Sequence, residues 1–60
     1  MHSMALIRLL EREGWRVVRC QGSHLTYEHP SRAHIVTVPH PKKDLPMGTV
    51  RSIMNTARLL

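Results

Sequence analysis

The stretch Gly22-Ser23-His24 places an imidazole directly after a glycine-serine turn, at the start of the alternating segment HLTYEH. The ordinary pKa of imidazole lets it gain and lose a proton near neutrality. An exposed histidine at a rigid strand start is therefore a candidate general acid or base. Gly22 permits a tight backbone path, and Ser23 offers a hydroxyl beside the ring. The tripeptide alone is a weak signal, since an exposed histidine is usually an ordinary surface residue and the chain has five histidines.

Positive charge is the second feature. Nine lysine and arginine residues against four acidic residues leave a net charge of +5, which favours a polyanion or an acidic protein as partner. The candidate phosphate-binding side chains are Lys42 and Lys43 ahead of the last helical segment, Arg51 and Arg58 on one stripe of it, and Arg16 and Arg19 flanking the first strand segment. Free amides at a helix N-terminus, here near residues 46–49, also bind phosphate. A solvated basic face is the alternative interpretation.

A phosphodiester substrate unites the histidine with the cations. RNA is favoured over DNA because its 2′-hydroxyl is an internal nucleophile that a histidine can activate without a metal. Glu28 and Asp44 are the only acids outside the first helix, so no carboxylate pair suggests a Mg²⁺ site. A single cysteine and the absence of HxxxH or HEXXH spacing argue against zinc. We therefore predict no metal and no cofactor. His40, held between two prolines, is the second candidate for a proton carrier.

The pattern of apolar residues predicts the order α-β-β-β-α. Helical spacing covers residues 3–13, β-branched and aromatic residues mark a strand over 15–20, and alternation marks strands over 24–29 and 34–38. Prolines 39 and 41 should stop the third strand. Helical spacing returns from Met47 onward. The fold class is thus α+β, with a three-stranded antiparallel sheet and two helices on one of its faces.

Several residues have expected local roles. Ser3 should be the N-cap of the first helix and Gly14 should end it. Trp15 should lie in the core, and Cys20 should be a small buried hydrophobe. His2, at the terminus, is assigned no role.

The second strand and the second helix give further expectations. Leu25 and Tyr27 should face the helices, which leaves His24 facing outward. Glu28 should pair with cations across the sheet, and Asp44 should help to start the second helix. The apolar stripe of that helix is Met47, Val50, Ile53, Met54 and Ala57.

The chain is read as one domain over residues 1–60 with a small core. No apolar segment is long enough to cross a membrane, and the first residues lack the order of a signal peptide. We therefore expect no membrane partner and a cytoplasmic location.

Three stretches, LIRLLEREGW, GSHLTYEHP and VTVPHPKKDLPMGTVRSI, together resemble the HicA family of bacterial toxins over roughly residues 3–57. The resemblance implies the double-stranded-RNA-binding-domain-like fold, α-β-β-β-α, and an mRNA interferase that cleaves mRNA independently of translation. It also implies a HicB-type antitoxin that binds the toxin and blocks its active site, with operator DNA contacted only through the antitoxin complex. The family's catalytic histidine falls on His24.

The chain departs from many HicA members at two positions. Leu25 stands where many have a second histidine, and Arg58 stands where many have the glycine of an Ala-Gly-Leu turn. The loss of that glycine should lengthen or fray the last helix. Ser23 and His40 are the candidate auxiliary residues for a mechanism in which His24 acts on the 2′-hydroxyl or on the leaving oxygen.

Two other function classes stay open on the sequence. If the chain is a non-catalytic RNA-binding module with the same fold, His24→Ala should leave the RNA affinity and any effect in the cell unchanged. A protein-interaction domain predicts no salt-dependent binding of nucleic acid, whereas a phosphate-binding surface loses affinity as salt rises.

Overall fold

The first helix, α1, spans Ser3–Arg12 in a computed structural model that describes all of residues 1–60. Its buried face carries Leu6, Ile7 and Leu10. The predicted N-cap is wrong: His2 is the cap, and its Nδ1 accepts the Met4 N–H at 3.0 Å. Ser3 is instead the first helical residue and is completely buried. His2 therefore satisfies one of the free amides at the helix start, a role not expected from its terminal position.

Gly14 and Trp15 make the passage from α1 to the sheet. Gly14 has φ +97°, in the left-handed region that ends many helices, which confirms its predicted role. Trp15 is 1% exposed and belongs to the core, also as predicted. Its ring lies 5.3 Å from that of His29, centroid to centroid. The His29 Nε2 is 2.8 Å from the Glu13 carbonyl oxygen, so this histidine, which follows the second strand, connects the end of the helix to the end of that strand.

The three strands, β1 (Arg16–Gln21), β2 (His24–Glu28) and β3 (Val36–Pro39), form an antiparallel sheet in the order β1-β2-β3. The ladder between β2 and β3 ends at the Tyr27–Val36 pair, so residues 34 and 35 lie in the loop and β3 is shorter at its start than predicted. It also includes Pro39, contrary to the prediction. A proline is tolerated there because β3 is an edge strand and Pro39 is its last residue.

The core lies between the sheet and the helices, and both helices pack on β3. It consists of eleven buried residues: Leu6, Ile7, Leu10, Trp15, Tyr27, Val36, Val38, Leu45, Val50, Ile53 and Ala57. Strand β1 contributes none of them. Cys20 is therefore exposed, and its predicted burial is wrong, because the helices cover β3 and leave this opposite edge of the sheet open.

The second helix, α2, spans Met47–Thr56 and buries Val50 and Ile53. Met47 is 75% exposed, so the predicted apolar stripe is wrong at its first position. Residues 40–46, called the connector here, join β3 to α2, and their Leu45 is buried instead at this end of the core. Asp44, which was expected to help start α2, makes no hydrogen bond to the helix. The N-cap residue is Pro46, without a side-chain hydrogen bond, and Asp44 pairs with the amino group of Met1 at 3.0 Å.

Arg58 ends the chain's last helical turn. It adopts φ +58°, the only positive φ of a residue other than glycine. Its N–H donates to the Asn55 carbonyl at 3.1 Å, and the Leu59 N–H donates to the Met54 carbonyl at 2.8 Å. The helix is thus closed where glycine would ordinarily close it, and the expected lengthening or fraying is not seen. Both helices have ten residues, and neither is long and apolar enough to cross a membrane.

Candidate functional site

His24 is the first residue of β2, the central strand, and its side chain is exposed. Gly22 and Ser23 form a two-residue turn between the paired residues Gln21 and His24. Gly22 has φ +58°, as the first residue of such a hairpin turn requires. The turn therefore sets the start of β2, and the register of the sheet aims the imidazole.

The outer face of the sheet is defined here as the face opposite the helices. Tyr27 of β2 is buried on the helix side, and because side chains alternate along a strand, His24 and Thr26 lie on the outer face. This confirms the predicted faces of β2. None of the four surface clefts includes His24. The outer face is thus an open surface, which suits an extended polymer better than a small molecule.

Arg19 and Arg16 lie at different distances from His24. Gln21 pairs with His24, and Arg19 pairs with Thr26 in the next row, which makes Arg19 a diagonal neighbour of His24 at about 7–8 Å between Cα atoms. Arg16 pairs with Glu28, four residues along β2 or about 13 Å away. The sheet therefore brings Arg19, and not Arg16, within reach of a group bound at His24.

The predicted ion pair of Glu28 with a cation across the sheet does not form. Its cross-strand partner is Arg16, yet the only salt bridge in the structure joins Met1 and Asp44. Both side chains are exposed, and an exposed pair gains little from a fixed geometry. The arginines of β1 are thus free of carboxylate partners.

His40 reaches the same end of the sheet as His24. Its backbone N–H donates to the Ser23 carbonyl at 2.7 Å, and its neighbour Pro39 is the cross-strand partner of His24. The imidazole of His40 takes the helix side, where its Nδ1 lies 2.7 Å from the Ser3 Oγ. The backbones of His24 and His40 are therefore close in space, but their side chains lie on opposite faces of the sheet. The Ser23 side chain is exposed and makes no hydrogen bond within the chain.

Hydrogen bonding at Ser3 selects the tautomer of His40. The Ser3 Oγ accepts the Lys42 N–H at 2.9 Å and is completely buried, so its own hydrogen has only the His40 Nδ1 as acceptor. In the neutral ring, this contact fits the tautomer that carries its hydrogen on Nε2, in which Nδ1 accepts from the Ser3 hydroxyl. In that tautomer His40 presents an Nε2–H donor at this end of the sheet.

The backbone of Lys42 is anchored by the same serine. The Ser3 N–H donates to the Lys42 carbonyl at 2.9 Å, which complements the bond from the Lys42 N–H to the hydroxyl. The side chains of Lys42 and Lys43 are exposed and without carboxylate partners. Arg51 is exposed on α2 and belongs to the helix layer, so the structure does not place it on the outer face with His24.

No group of three or more histidine, cysteine, aspartate or glutamate side chains comes together as a metal-binding cluster. His29, which is bound to the Glu13 carbonyl, lies at the other end of the sheet from His40. The residue that sequence reasoning missed is Ser3. Its partners His40 and Lys42 lie 37 and 39 residues away, and no local pattern indicates such a contact.

Comparison with known proteins gives two findings. Residues 4–59 match the family model described as the HicA toxin of bacterial toxin-antitoxin. The structure is similar to a chain of the solved "HicA3 and HicB3 toxin-antitoxin complex", with a TM-score of 0.84 and 35% sequence identity over 97% of this chain and 94% of that one. No curated protein matches the sequence.

Proposed function

Since the chain belongs to the HicA family of bacterial toxins of toxin-antitoxin systems, we propose that this toxin is a metal-independent endoribonuclease that cleaves mRNA with His24 as its catalytic residue. The observation that carries the proposal is the position of His24. It is exposed at the start of the central strand, with Arg19 as its diagonal neighbour on an open face. RNA cleavage needs two kinds of group: one that binds phosphate whatever the base, and one that transfers a proton.

In the proposed reaction the neutral imidazole of His24 removes the proton of a 2′-hydroxyl. The 2′-oxygen attacks the adjacent phosphorus, the bond from phosphorus to the 5′-oxygen breaks, and that oxygen takes up a proton. The products are a 2′,3′-cyclic phosphate and a 5′-hydroxyl. Arg19 and the lysines of the connector stabilise the negative charge that builds up on the phosphate.

A second group has to protonate the leaving oxygen if His24 acts as the base. His40 offers an Nε2–H donor at the same end of the sheet, because Ser3 holds its Nδ1. Its imidazole is on the helix side, so the substrate must reach around the end of β3 to meet it. Ser23, with an exposed hydroxyl next to His24, is the other auxiliary group and donates a hydrogen bond to the phosphate.

We also propose a HicB-type antitoxin as the protein partner, on the basis of the similar chain solved in a complex with HicB3. An acidic segment of the antitoxin would occupy the outer face, cover His24 and take the place of substrate phosphates. Contact with operator DNA would come only through the antitoxin complex. The toxin would act in the cytoplasm, where mRNA is found.

The test is cleavage of a labelled single-stranded RNA in EDTA. Wild-type protein should cleave it and His24→Ala should not, while circular dichroism shows that both are folded. Ser52→Ala is the control, because it truncates an exposed residue of α2 that does not lie on the outer face, and it should cleave RNA like the wild type. Equal cleavage by the wild type and His24→Ala would remove the catalytic role. Binding of RNA without cleavage by either would favour the non-catalytic module.

A paired comparison on β1 tests the geometry. Arg19→Ala should lower kcat/KM about fivefold, which corresponds to about 1 kcal/mol, whereas Arg16→Ala should change it less than twofold. The two variants remove the same charge from the same strand, so the comparison separates the effect of distance from His24 from the effect of net charge. Equal losses would mean that the cations act through overall charge and not through their place beside His24.

A further inference from the structure

A polar cleft of about 350 Å³ lies away from His24, between the loop that joins β2 to β3 and the end of α2. Its lining consists of Ser31, Arg32, Ala33, His34, Thr56 and Arg58. Two arginines, a histidine and two hydroxyl-bearing residues thus line one concave space, and no acidic residue is among them. A concave surface lined by one sign of charge concentrates ions of the opposite sign.

Arg58 contributes its side chain at a cost in backbone conformation. Its φ of +58° is in the left-handed region that glycine adopts freely and that a Cβ makes unfavourable. The two hydrogen bonds that close α2 here are donated by the backbone amides of Arg58 and Leu59, so glycine would make them equally well. The helix end therefore does not explain an arginine at this position. The side chain that arginine adds there lines the cleft.

Arg32 provides the second cation from the opposite wall. Its own N–H donates to the His29 carbonyl at 3.1 Å, which fixes its backbone in the loop. Its guanidinium makes one long contact with the Ser31 carbonyl oxygen, 3.4 Å, and remains exposed. Because the only salt bridge of the structure is elsewhere, neither arginine of the cleft is neutralised by a carboxylate.

The C-terminal end of α2 carries the negative end of the helix dipole, which disfavours an anion in the cleft. Most of the carbonyl groups at this end of the helix are, however, already hydrogen-bonded. Those of Ile53, Met54 and Asn55 each accept a backbone N–H, from Ala57, Leu59 and Arg58 respectively. Arginine is also the side chain best suited to phosphate, since its planar fork donates two hydrogen bonds at once. The balance in the cleft thus favours an anion with several oxygens.

We propose that the cleft between Arg32 and Arg58 binds a phosphate group of an RNA strand, at a site separate from His24. The inference rests on the proposed function and extends the footprint of the substrate. The length of β2 alone, about 13 Å from His24 to Glu28, separates the two ends of the sheet. The cleft lies on the helix side and His24 on the outer face, so an RNA that occupies both sites has to pass around the end of the sheet and span several nucleotides beyond the cut.

The experiment measures binding of a fluorescently labelled single-stranded RNA at several salt concentrations, with His24→Ala in every protein so that the RNA stays intact. Arg58→Gly and Arg58→Ala should weaken binding by the same factor, about fivefold. Both should reduce the slope of log affinity against log salt by about 0.7. Arg8→Ala, which removes an exposed arginine of α1 outside the cleft, is the charge-matched control and should leave the affinity within twofold.

Thermal unfolding of the same variants separates binding from folding. Arg58→Gly should melt at a higher temperature than Arg58→Ala, because glycine relieves the left-handed backbone while both lack the guanidinium. A loss of affinity in the more stable variant cannot come from unfolding. An unchanged affinity and salt slope in Arg58→Gly would overturn the proposal.

The outcome for the cleft is independent of the outcome for catalysis. If wild-type protein cleaves RNA but the Arg58 variants bind it with the affinity of their parent, the endoribonuclease proposal is supported and the phosphate site in the cleft is refuted. If the variants lose affinity but wild-type protein does not cleave, the cleft stands and the catalytic role of His24 falls. Equal losses in Arg8→Ala and Arg58→Ala would also overturn the proposal, since general charge would then account for binding.

Discussion

Replacing Ser3 by alanine should lower the free energy of unfolding by about 2 kcal/mol, although serine to alanine is a small change in a helix. The Ser3 side chain is fully buried, and its hydroxyl joins the His40 Nδ1 at 2.7 Å to the Lys42 N–H at 2.9 Å. Alanine leaves both groups without that partner. An unsatisfied buried polar group costs about 1–3 kcal/mol, and the exposure of Lys42 lets water recover part of the loss.

This loss is large for so small a domain. At about 0.05–0.15 kcal/mol per residue, a 60-residue chain has roughly 3–9 kcal/mol of stability in total. In a domain of this size 1 kcal/mol shifts Tm by about 4–8 °C, so Ser3→Ala should lower Tm by about 8–16 °C. The variant should still fold at low temperature, which allows its stability to be measured.

Urea unfolding followed by the fluorescence of Trp15 is a suitable assay, because this is the only tryptophan and it is 1% exposed. Ser52→Ala, at an exposed serine of α2, is the matched control and should be neutral or slightly stabilising. A double-mutant cycle with His40→Ala should give a coupling energy between Ser3 and His40 of about 0.5–3 kcal/mol. If Ser3→Ala stayed within about 0.5 kcal/mol of the wild type, the reasoning from the buried hydroxyl would be refuted.

Three further predictions concern single groups. Gly14→Ala should cost about 1–2 kcal/mol in urea unfolding, because φ is +97° there and a Cβ would lie 3.0 Å from the His29 Nε2. Cys20 should react with a thiol reagent in the folded protein at nearly the rate of the unfolded chain, because it is exposed. Burial, and then the negative charge of Glu11, raise the pKa of the Tyr27 phenol. Its contribution to stability should therefore be complete below the unfolded pKa of about 10 and should be lost as pH rises through the folded pKa, which urea unfolding between pH 8 and 11 measures.

Each of these predictions has a result that would contradict it. A wild-type stability in Gly14→Ala would mean that the turn tolerates a Cβ by shifting. Strong protection of Cys20 from the reagent in the monomer would mean that the open side of β1 is covered. A stability that is constant between pH 8 and 11 would mean that Tyr27 ionises as readily in the folded chain as in the unfolded one. Glu11→Gln should bring the pKa of Tyr27 in the folded chain closer to its pKa in the unfolded chain.

The sequence by itself determined the order of the elements and the place of His24. Helical and alternating periods depend on neighbours within a few residues, so α1, β2 and α2 could be predicted from local spacing alone. The same holds for Gly14 and Gly22, whose positive φ angles are a local requirement of the turns they make. The HicA resemblance rests on such local motifs, and the family match confirms it.

Burial and pairing were decided by the tertiary structure. Cys20 and Met47 have apolar side chains but are exposed, because the helices pack on β3 and the core closes over Leu45. No local pattern shows which strand a helix will cover. Strand register likewise decided that Arg19, and not Arg16, lies beside His24.

The polar contacts show the same division most clearly. The hydroxyl of Ser3 is hydrogen-bonded to His40, which is 37 residues away in sequence. Arg32, from a loop, and Arg58, from a helix end, line the same cleft. Such arrangements form only when separate elements pack together, since hydrogen bonds act over about 3 Å and charges over about 10 Å in space, whatever the separation along the chain. Local spacing therefore determined which elements form and where the histidine lies in them, and packing decided which side chains lie near it and which cations line the same cleft.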